Sequence, residues 1–251
     1  MAGDIAVLIL TLNEEENIEA CIDSVKFADE IIVVDAGSTD KTVELAQGVG
    51  AKVIVRPMEK GFAEQRNFAH SLAHTEWVLF LDADERISEA LAQEIQEVVS
   101  KDCKVAYKIV RHNFVLNKPV YHGGHAPDWV LRLFPREQVC WEGIVHESPQ
   151  TKLAAVCLRA PAYHFTYRNW EQYFIKFNRY TTMMAEKMND NGKKVGFGDL
   201  FFRPIVGFLK FYVLKSGWRD GKMGFILSAY HAFYTLAKYV KLWTIQQKGE
   251  R

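Results

Sequence analysis

Over the first hundred residues, unbroken apolar runs of strand length alternate with stretches whose apolar positions recur every three or four residues, which predicts a βαβ succession. Residues 5–10 form the first run. Ile18, Cys21, Ile22 and Val25 follow at i, i+3, i+4 and i+7, as on one helix face, with Asn13 as the expected cap. Glu14, Glu15 and Glu16 suit the positive end of that helix's dipole. Residues 31–34 are the second run and end at Asp35; strand, helix and strand within about thirty residues imply a right-handed crossover and a parallel sheet. Asp35-Ala36-Gly37-Ser38-Thr39-Asp40 is a tight turn opening a second helix, which stops at Gly48-Val49-Gly50. A third strand over 51–56, a loop containing Lys60 and a helix over 63–73 carrying Arg66 and Asn67 complete this part.

The next run, Trp77-Val78-Leu79-Phe80-Leu81, leads straight into Asp82-Ala83-Asp84-Glu85. Five consecutive apolar residues fit an interior strand covered on both faces, and ligands bind beyond the carboxyl ends of such strands. Two acids there offer the oxygen ligands that Mg²⁺ or Mn²⁺ takes alongside substrate phosphates. The same residues also suit a turn or a helix cap. Ser88 caps a helix with Leu91, Ile95 and Val98 on one face, and Val105, Tyr107 and Ile109 alternate as a half-buried strand.

Residues 111–150 change character, with loops at Asn117-Lys118-Pro119 and His122-Gly123-Gly124-His125 around a strand over 129–134. The two histidines lack a third ligand for a transition metal. From Asn169 the pattern is helical again up to Asn191-Gly192. Residues 200–251 hold 12 aromatics, but their longest charge-free run, 223–237, is fifteen residues, short of the ~20 that span a bilayer.

Charge divides the chain. The formal net charge is zero, yet residues 200–251 carry nine Lys/Arg against Asp220 and Glu250, a net of +7 that leaves −7 on residues 1–199. An acidic first part argues against nucleic-acid binding. The four cysteines show no CxxC spacing, and Asp4 and Glu14 bracket too short an apolar run for a signal peptide, so a reducing cytosol is expected.

Thr11-Leu12-Asn13-Glu14, Val33-Val34-Asp35-Ala36-Gly37-Ser38-Thr39-Asp40 and Leu81-Asp82-Ala83-Asp84-Glu85 arrive in order at successive strand ends. In this the chain resembles the family 2 glycosyltransferases of the GT-A fold, and its basic, aromatic tail is similar to that of the lipopolysaccharide core glucosyltransferases. The resemblance implies a catalytic α/β domain over 1–165, a Rossmann-like, mostly parallel sheet flanked by helices, and a C-terminal helical extension over 166–251. It also implies inverting transfer of a sugar from a nucleoside diphosphate sugar, UDP-glucose in this subgroup, to a lipid-linked or core saccharide hydroxyl, assisted by a divalent cation (Mg²⁺ or Mn²⁺). Thr11, Leu12, Asn13, Glu14 and Ser38 would then line the nucleotide pocket, and Asp35 would accept a hydrogen bond from the base. Asp82 would lie by the ribose and metal, and Asp84 would ligate the metal. Lys60 and Arg66 would add charge near the diphosphate, or stand as solvated surface cations.

The acid pair that usually supplies the family's base is absent. The candidates are Glu147, Glu142 and Asp128, with Glu147 preferred because Trp141 and Gly143 shape its segment, and with His146 orienting the metal or diphosphate. Basic residues interleaved with aromatics in the tail lead us to expect a peripheral location on the cytoplasmic face of the inner membrane, with a helical lid as the alternative. Two rivals remain. A sugar nucleotidylyltransferase calls for a basic, Gly-rich loop where Thr11-Leu12-Asn13-Glu14 stands. A non-catalytic nucleotide-sugar-binding protein calls for a disabled acid pair, whereas Asp82 and Asp84 are both present.

Overall fold

The computed structural model describes residues 3–101, 103–124, 126–143, 147–167 and 169–249. The chain forms two compact units, one of Met1–Arg111 with Asp128–His164, the other of His112–Pro127 with Phe165–Arg251.

In the first unit the apolar runs become strands β1 (Ile5–Thr11), β2 (Glu30–Asp35), β3 (Lys52–Val55) and β4 (Trp77–Asp82). They lie parallel in the order β3-β2-β1-β4. The helices between them are α1 (Ile18–Asp23), α2 (Thr42–Gly48) and α3 (Phe62–Ser71). The runs are unbroken because the sheet has a core on each face. Val7, Ile9, Leu79 and Leu81 pack with Ile18, Ile22, Leu91 and Ile95, while Ala6, Leu8, Val78 and Phe80 pack with Ala63, Ala69 and Trp141. Alternate residues of one strand thus enter opposite cores, so neither face tolerates a polar residue.

Short strand β5 (Glu85–Ile87) leads to α4 (Glu89–Ser100), whose cap is the expected Ser88, its hydroxyl accepting from the Leu91 N–H at 3.2 Å. Then come β6 (Ala106–Val115), β7 (Lys118–Val120), β8 (Asp128–Pro135), the small hairpin β9 (Cys140–Glu142) with β10 (Ser148–Gln150), and the long β11 (Ala155–Tyr167). Beyond β4 the order is β8-β6-β11-β5 and the strands run antiparallel where their registers are defined. The class is the expected α/β one, with the parallel geometry confined to the four strands whose connections carry helices. β11 has no counterpart in the reading of the sequence.

The second unit contains α5 (Trp170–Asp190), α6 (Phe197–Leu209) and α7 (Gly221–Gly249), with β7 paired to the outer end of β6. Asn169 caps α5, accepting from the Gln172 N–H at 2.8 Å. Aromatics bind α5 to α7: Phe177 stacks on Phe233 at 5.1 Å between centroids, and Trp170 and Tyr173 meet Tyr230 at 5.0 and 5.2 Å. Lys241 turns inward, its ammonium donating to the Asn178 carbonyl and to the Thr181 and Thr182 hydroxyls, each at 2.8 Å. Part of the tail's basic and aromatic content is therefore spent on its own packing. Asp220 accepts from the His122 N–H at 2.8 Å, and the His122 imidazole Nδ1 lies 2.8 Å from the same carboxylate, which accounts for that histidine structurally; His125 lies outside the described residues.

Candidate active site

Register places the candidate residues side by side: Thr11 pairs with Asp35 and Leu10 with Asp82 across three adjacent parallel strands. The loops leaving β1 and β2 are closed onto each other. Asn13 has a left-handed backbone (φ 54°), which Asn tolerates, and so does not start the helix. Its N–H donates to Ser38 Oγ at 2.7 Å and its side-chain carbonyl accepts from the Thr39 N–H at 2.8 Å. The helix therefore starts only after Asn17, whose side chain makes no capping bond, and loses a turn. The Glu14 N–H donates to Thr42 Oγ1 at 2.8 Å, and its carboxylate accepts from the Asn17 amide at 2.5 Å.

Asp35 is fully buried, and its carboxylate accepts from the Gly37 and Ser38 N–H groups at 2.9 and 2.7 Å and from the Ser38 hydroxyl. In this geometry Asp35 builds the turn, and what the loop presents is Asn13 and Ser38. Gly37 at φ 99° completes that turn, a conformation in which a β-carbon is strained. Thr11 is buried with a hydroxyl lacking a partner among the described residues, whereas Leu12 is exposed.

Beyond β4, acids and guanidinium groups interlock. Asp82 accepts from Arg66 Nη2 at 2.7 Å on one oxygen and from Arg132 Nη2 at 2.5 Å on the other. Burial alone would raise its pKa, but Arg132 and Arg66 outweigh that and hold it far below the usual carboxylate range. Each oxygen of Asp82 is thus engaged by one arginine, and Asp82 is an ion-pair partner here. Glu85, buried, accepts from Arg111 at 2.7 Å, from Arg132 at 3.2 Å and from the Asp82 N–H at 3.0 Å.

Arg66 is no surface cation. It is buried on the face of Trp141, 4.6 Å from the ring centroid, and Asn67 fixes that tryptophan through two hydrogen bonds to its backbone, each 2.8 Å. The same Arg66 Nη2 lies 3.8 Å from Glu147, so one guanidinium stands between Asp82 and the candidate base. Asp128 is bound by Arg111 through two nitrogens at 2.9 and 2.7 Å. Glu142 and Lys60 are exposed, with Lys60 in no ion pair among the described residues. His146 lies outside the described residues.

Asp84 differs from its neighbours. Its Oδ2 lies 3.4 Å from His164 Nε2, and the Arg86 guanidinium acts on it electrostatically. Burial lowers the His164 pKa and the hydrogen bond to Asp84 raises it, with a net rise above the ordinary imidazole value. Arg132, Glu85 and His164 were not singled out from the sequence. Arg132 carried a signal, a lone cation within the apolar strand 129–134, while His164 sits on the unforeseen β11.

Strand-end acids on this α/β sheet are those of a sugar transferase: the chain is a glycosyltransferase of GT-A type and belongs to the family "Glycosyl transferase family 2", whose profile matches residues 6–156. It is 31% identical to the lipopolysaccharide core biosynthesis glycosyltransferase LpsC of Rhizobium meliloti (strain 1021), over 93% of this chain and 91% of that protein. The uncharacterized glycosyltransferase RT0209 of Rickettsia typhi is 31% identical over 98% of this chain and 88% of its own length. Glucosyl-3-phosphoglycerate synthase from Mycobacterium tuberculosis, crystallised with Mn²⁺, UDP and glucosyl-3-phosphoglycerate, superposes with a TM-score of 0.37 and 26% identity, covering 45% of this chain and 44% of that one. The resemblance drawn from the three strand-end motifs thus holds for the family and for a lipopolysaccharide core relative.

Proposed function

We propose that this glycosyltransferase is an inverting, divalent-cation-dependent enzyme that moves glucose from UDP-glucose to a hydroxyl of a lipopolysaccharide core saccharide. The observation that supports the reaction class is the division among the strand-end acids: arginines hydrogen-bond Asp82 and Glu85 directly, while Asp84 has an imidazole beside it and Arg86 acting on it electrostatically. A carboxylate fits Mn²⁺ or Mg²⁺ when phosphate oxygens and water complete the shell, and the imidazole beside Asp84 would orient that carboxylate. When bound there, the cation supplies charge stabilisation to the departing diphosphate. Similarity to LpsC supports the core saccharide as acceptor. Glucose and uridine follow the subgroup resemblance of the strand-end motifs and tail.

The chain's own residues supply the rest. Asn13 and Ser38, locked by the Asp35 turn, form a rigid rim where the nucleotide enters, so little loop ordering is needed on binding. Glu147 takes the proton of the acceptor hydroxyl as its oxygen bonds to the anomeric carbon. The bond to the diphosphate breaks on the opposite face, its electron pair leaving with the diphosphate oxygen, and the configuration inverts. Arg66 positions Glu147 relative to Asp82, and Trp141 and Asn67 hold Arg66 in place. Asp128, tied to Arg111, is the less available base.

The test is a panel of nucleotide sugars assayed for nucleoside diphosphate release with Mn²⁺, Mg²⁺ or EDTA, then repeated with purified core oligosaccharides. UDP-glucose should be turned over in a metal-dependent way and faster with a core acceptor. Turnover indifferent to EDTA removes the metal from the reading, and preference for another donor removes glucose.

A further inference from the structure

Helix α6 turns an apolar face outward. Phe197, Phe201, Phe202, Ile205, Val206 and Leu209 are each 46–77% exposed. Positions 197, 201, 205 and 209 repeat every fourth residue with 202 and 206 beside them, so they form one continuous stripe. Beyond α6, in the π-helical turn Lys210–Leu214 and the short helix after it, Leu214 and Trp218 are also exposed, at 80% and 58%. The opposite side of α6 packs on α7, where Leu200 joins a cluster with Tyr239 and Leu242 and Phe208 meets Phe225. Gly207 lies against His231 and Thr235 of α7, and Asp199 is buried. A surface helix of a soluble protein turns polar residues outward, where α6 has a second apolar face.

Charge decides what the stripe meets. Residues 191–222 contain two acids, Asp199 and Asp220, and both are withdrawn from the surface: Asp199 pairs with Lys193 and Arg203, and Asp220 with His122. Lys194, Arg203, Lys210, Lys215, Arg219 and Lys222 are all exposed. The surface of this stretch is therefore apolar and cationic with no exposed acid. A second copy laid against it would set like charges together, whereas an anionic bilayer satisfies both the stripe and its basic border. The 13 residues of α6 cover about 20 Å, short of the ~30 Å hydrocarbon core. No helix among the described residues is long and apolar enough to cross a membrane.

We propose that residues 197–219 are a monotopic membrane element, lying in the interfacial plane of an anionic leaflet with the stripe of α6 in the acyl boundary and the basic residues among the headgroups. The element is narrower than the whole tail and begins before it, at Phe197; Lys241 and the aromatics joining α5 to α7 take no part.

Flotation of the full chain with phosphatidylcholine vesicles, with and without phosphatidylglycerol, tests this without donor or acceptor, so the result is independent of the transfer reaction. The protein should float with the anionic vesicles. Lys210→Glu/Lys215→Glu/Arg219→Glu should weaken partitioning by about fivefold or more per residue. Phe201→Ser/Phe202→Ser/Val206→Ser should weaken it by roughly tenfold or more at any salt concentration, since it removes buried apolar area. Brominated lipid should quench Trp218 in the unaltered protein, read as the signal missing from Trp218→Phe. The proposal is overturned if the protein stays with the dense fraction in anionic vesicles, if Trp218 is not quenched, or if the triple Ser variant, with an unchanged melting curve, floats as well as the parent.

Discussion

Arg132→Met removes the one guanidinium that touches both Asp82 and Glu85. The side chain is only 7% exposed, and Met keeps much of its length, so the loss is electrostatic more than steric. Breaking a buried ion pair from one side costs about 3–5 kcal/mol. Two features place this change at the low end: Glu85 keeps Arg111 at 2.7 Å, and Asp82 keeps Arg66 at 2.7 Å while being partly open to solvent. A cost of about 3 kcal/mol corresponds to a fall in Tm of roughly 6–12 °C in a unit of this size. Calorimetry at neutral pH measures it, and pH supplies a second reading. The two arginines depress the folded pKa of Asp82, so its stabilisation is present above the unfolded value of 3.8 and is lost as pH falls toward the depressed one. The gap between wild type and Arg132→Met should therefore narrow below about pH 4. Arg132→Lys should restore only part of it: both contacts run through the single nitrogen Nη2, but an ammonium is a compact, more strongly hydrated charge that is costlier to bury. A fall in Tm under about 2 °C, or a gap that persists unchanged into acid, refutes the reasoning.

Asp84→Ala should abolish transfer while costing under about 1 kcal/mol of stability near pH 8, since its ion-pair partner among the described residues is His164; activity retained by this variant excludes the metal role. Glu147→Gln should lower turnover by about 10² or more with donor affinity kept, and Asp128→Asn should not; the reverse result in steady-state kinetics moves the base to Asp128. His164→Asn should destabilise more near pH 5.5 than near pH 9, because a raised histidine pKa contributes stability below the unfolded value of 6.5 that is lost as pH rises through the folded one. Equal melting shifts at both pH values would show that the pair with Asp84 carries no charge.

The residues most readable in advance were those whose neighbours in sequence are also their reason for being there. The continuous apolar runs of β1, β2 and β4 state that both faces of the sheet are covered, and each run ends at the residue its strand delivers to the site: Thr11, Asp35 and Asp82. Three short motifs in order were enough to indicate the family, because strand ends in a parallel sheet share one edge by construction. The Ser88 and Asn169 caps were legible for the same local reason.

What depended on residues far apart in sequence was not legible. Asn13 looked like a helix cap, but the loop after β2 holds it in a left-handed conformation through Ser38 and Thr39. Asp82 and Asp84 are equivalent as letters, and only the arrival of Arg66 from α3 and Arg132 from β8 gives the first to an ion pair and leaves the second to His164, carried in on β11. The aromatic content of the tail likewise carried no direction: packing of α5 on α7 consumes one set of rings, and the close approach of Gly207 to α7 turns the other set outward. Local pattern sets which elements form and where each ends, because backbone hydrogen bonding and burial period act over a few residues. The charge state and partner of each acid follow from side chains that meet only after the chain has folded.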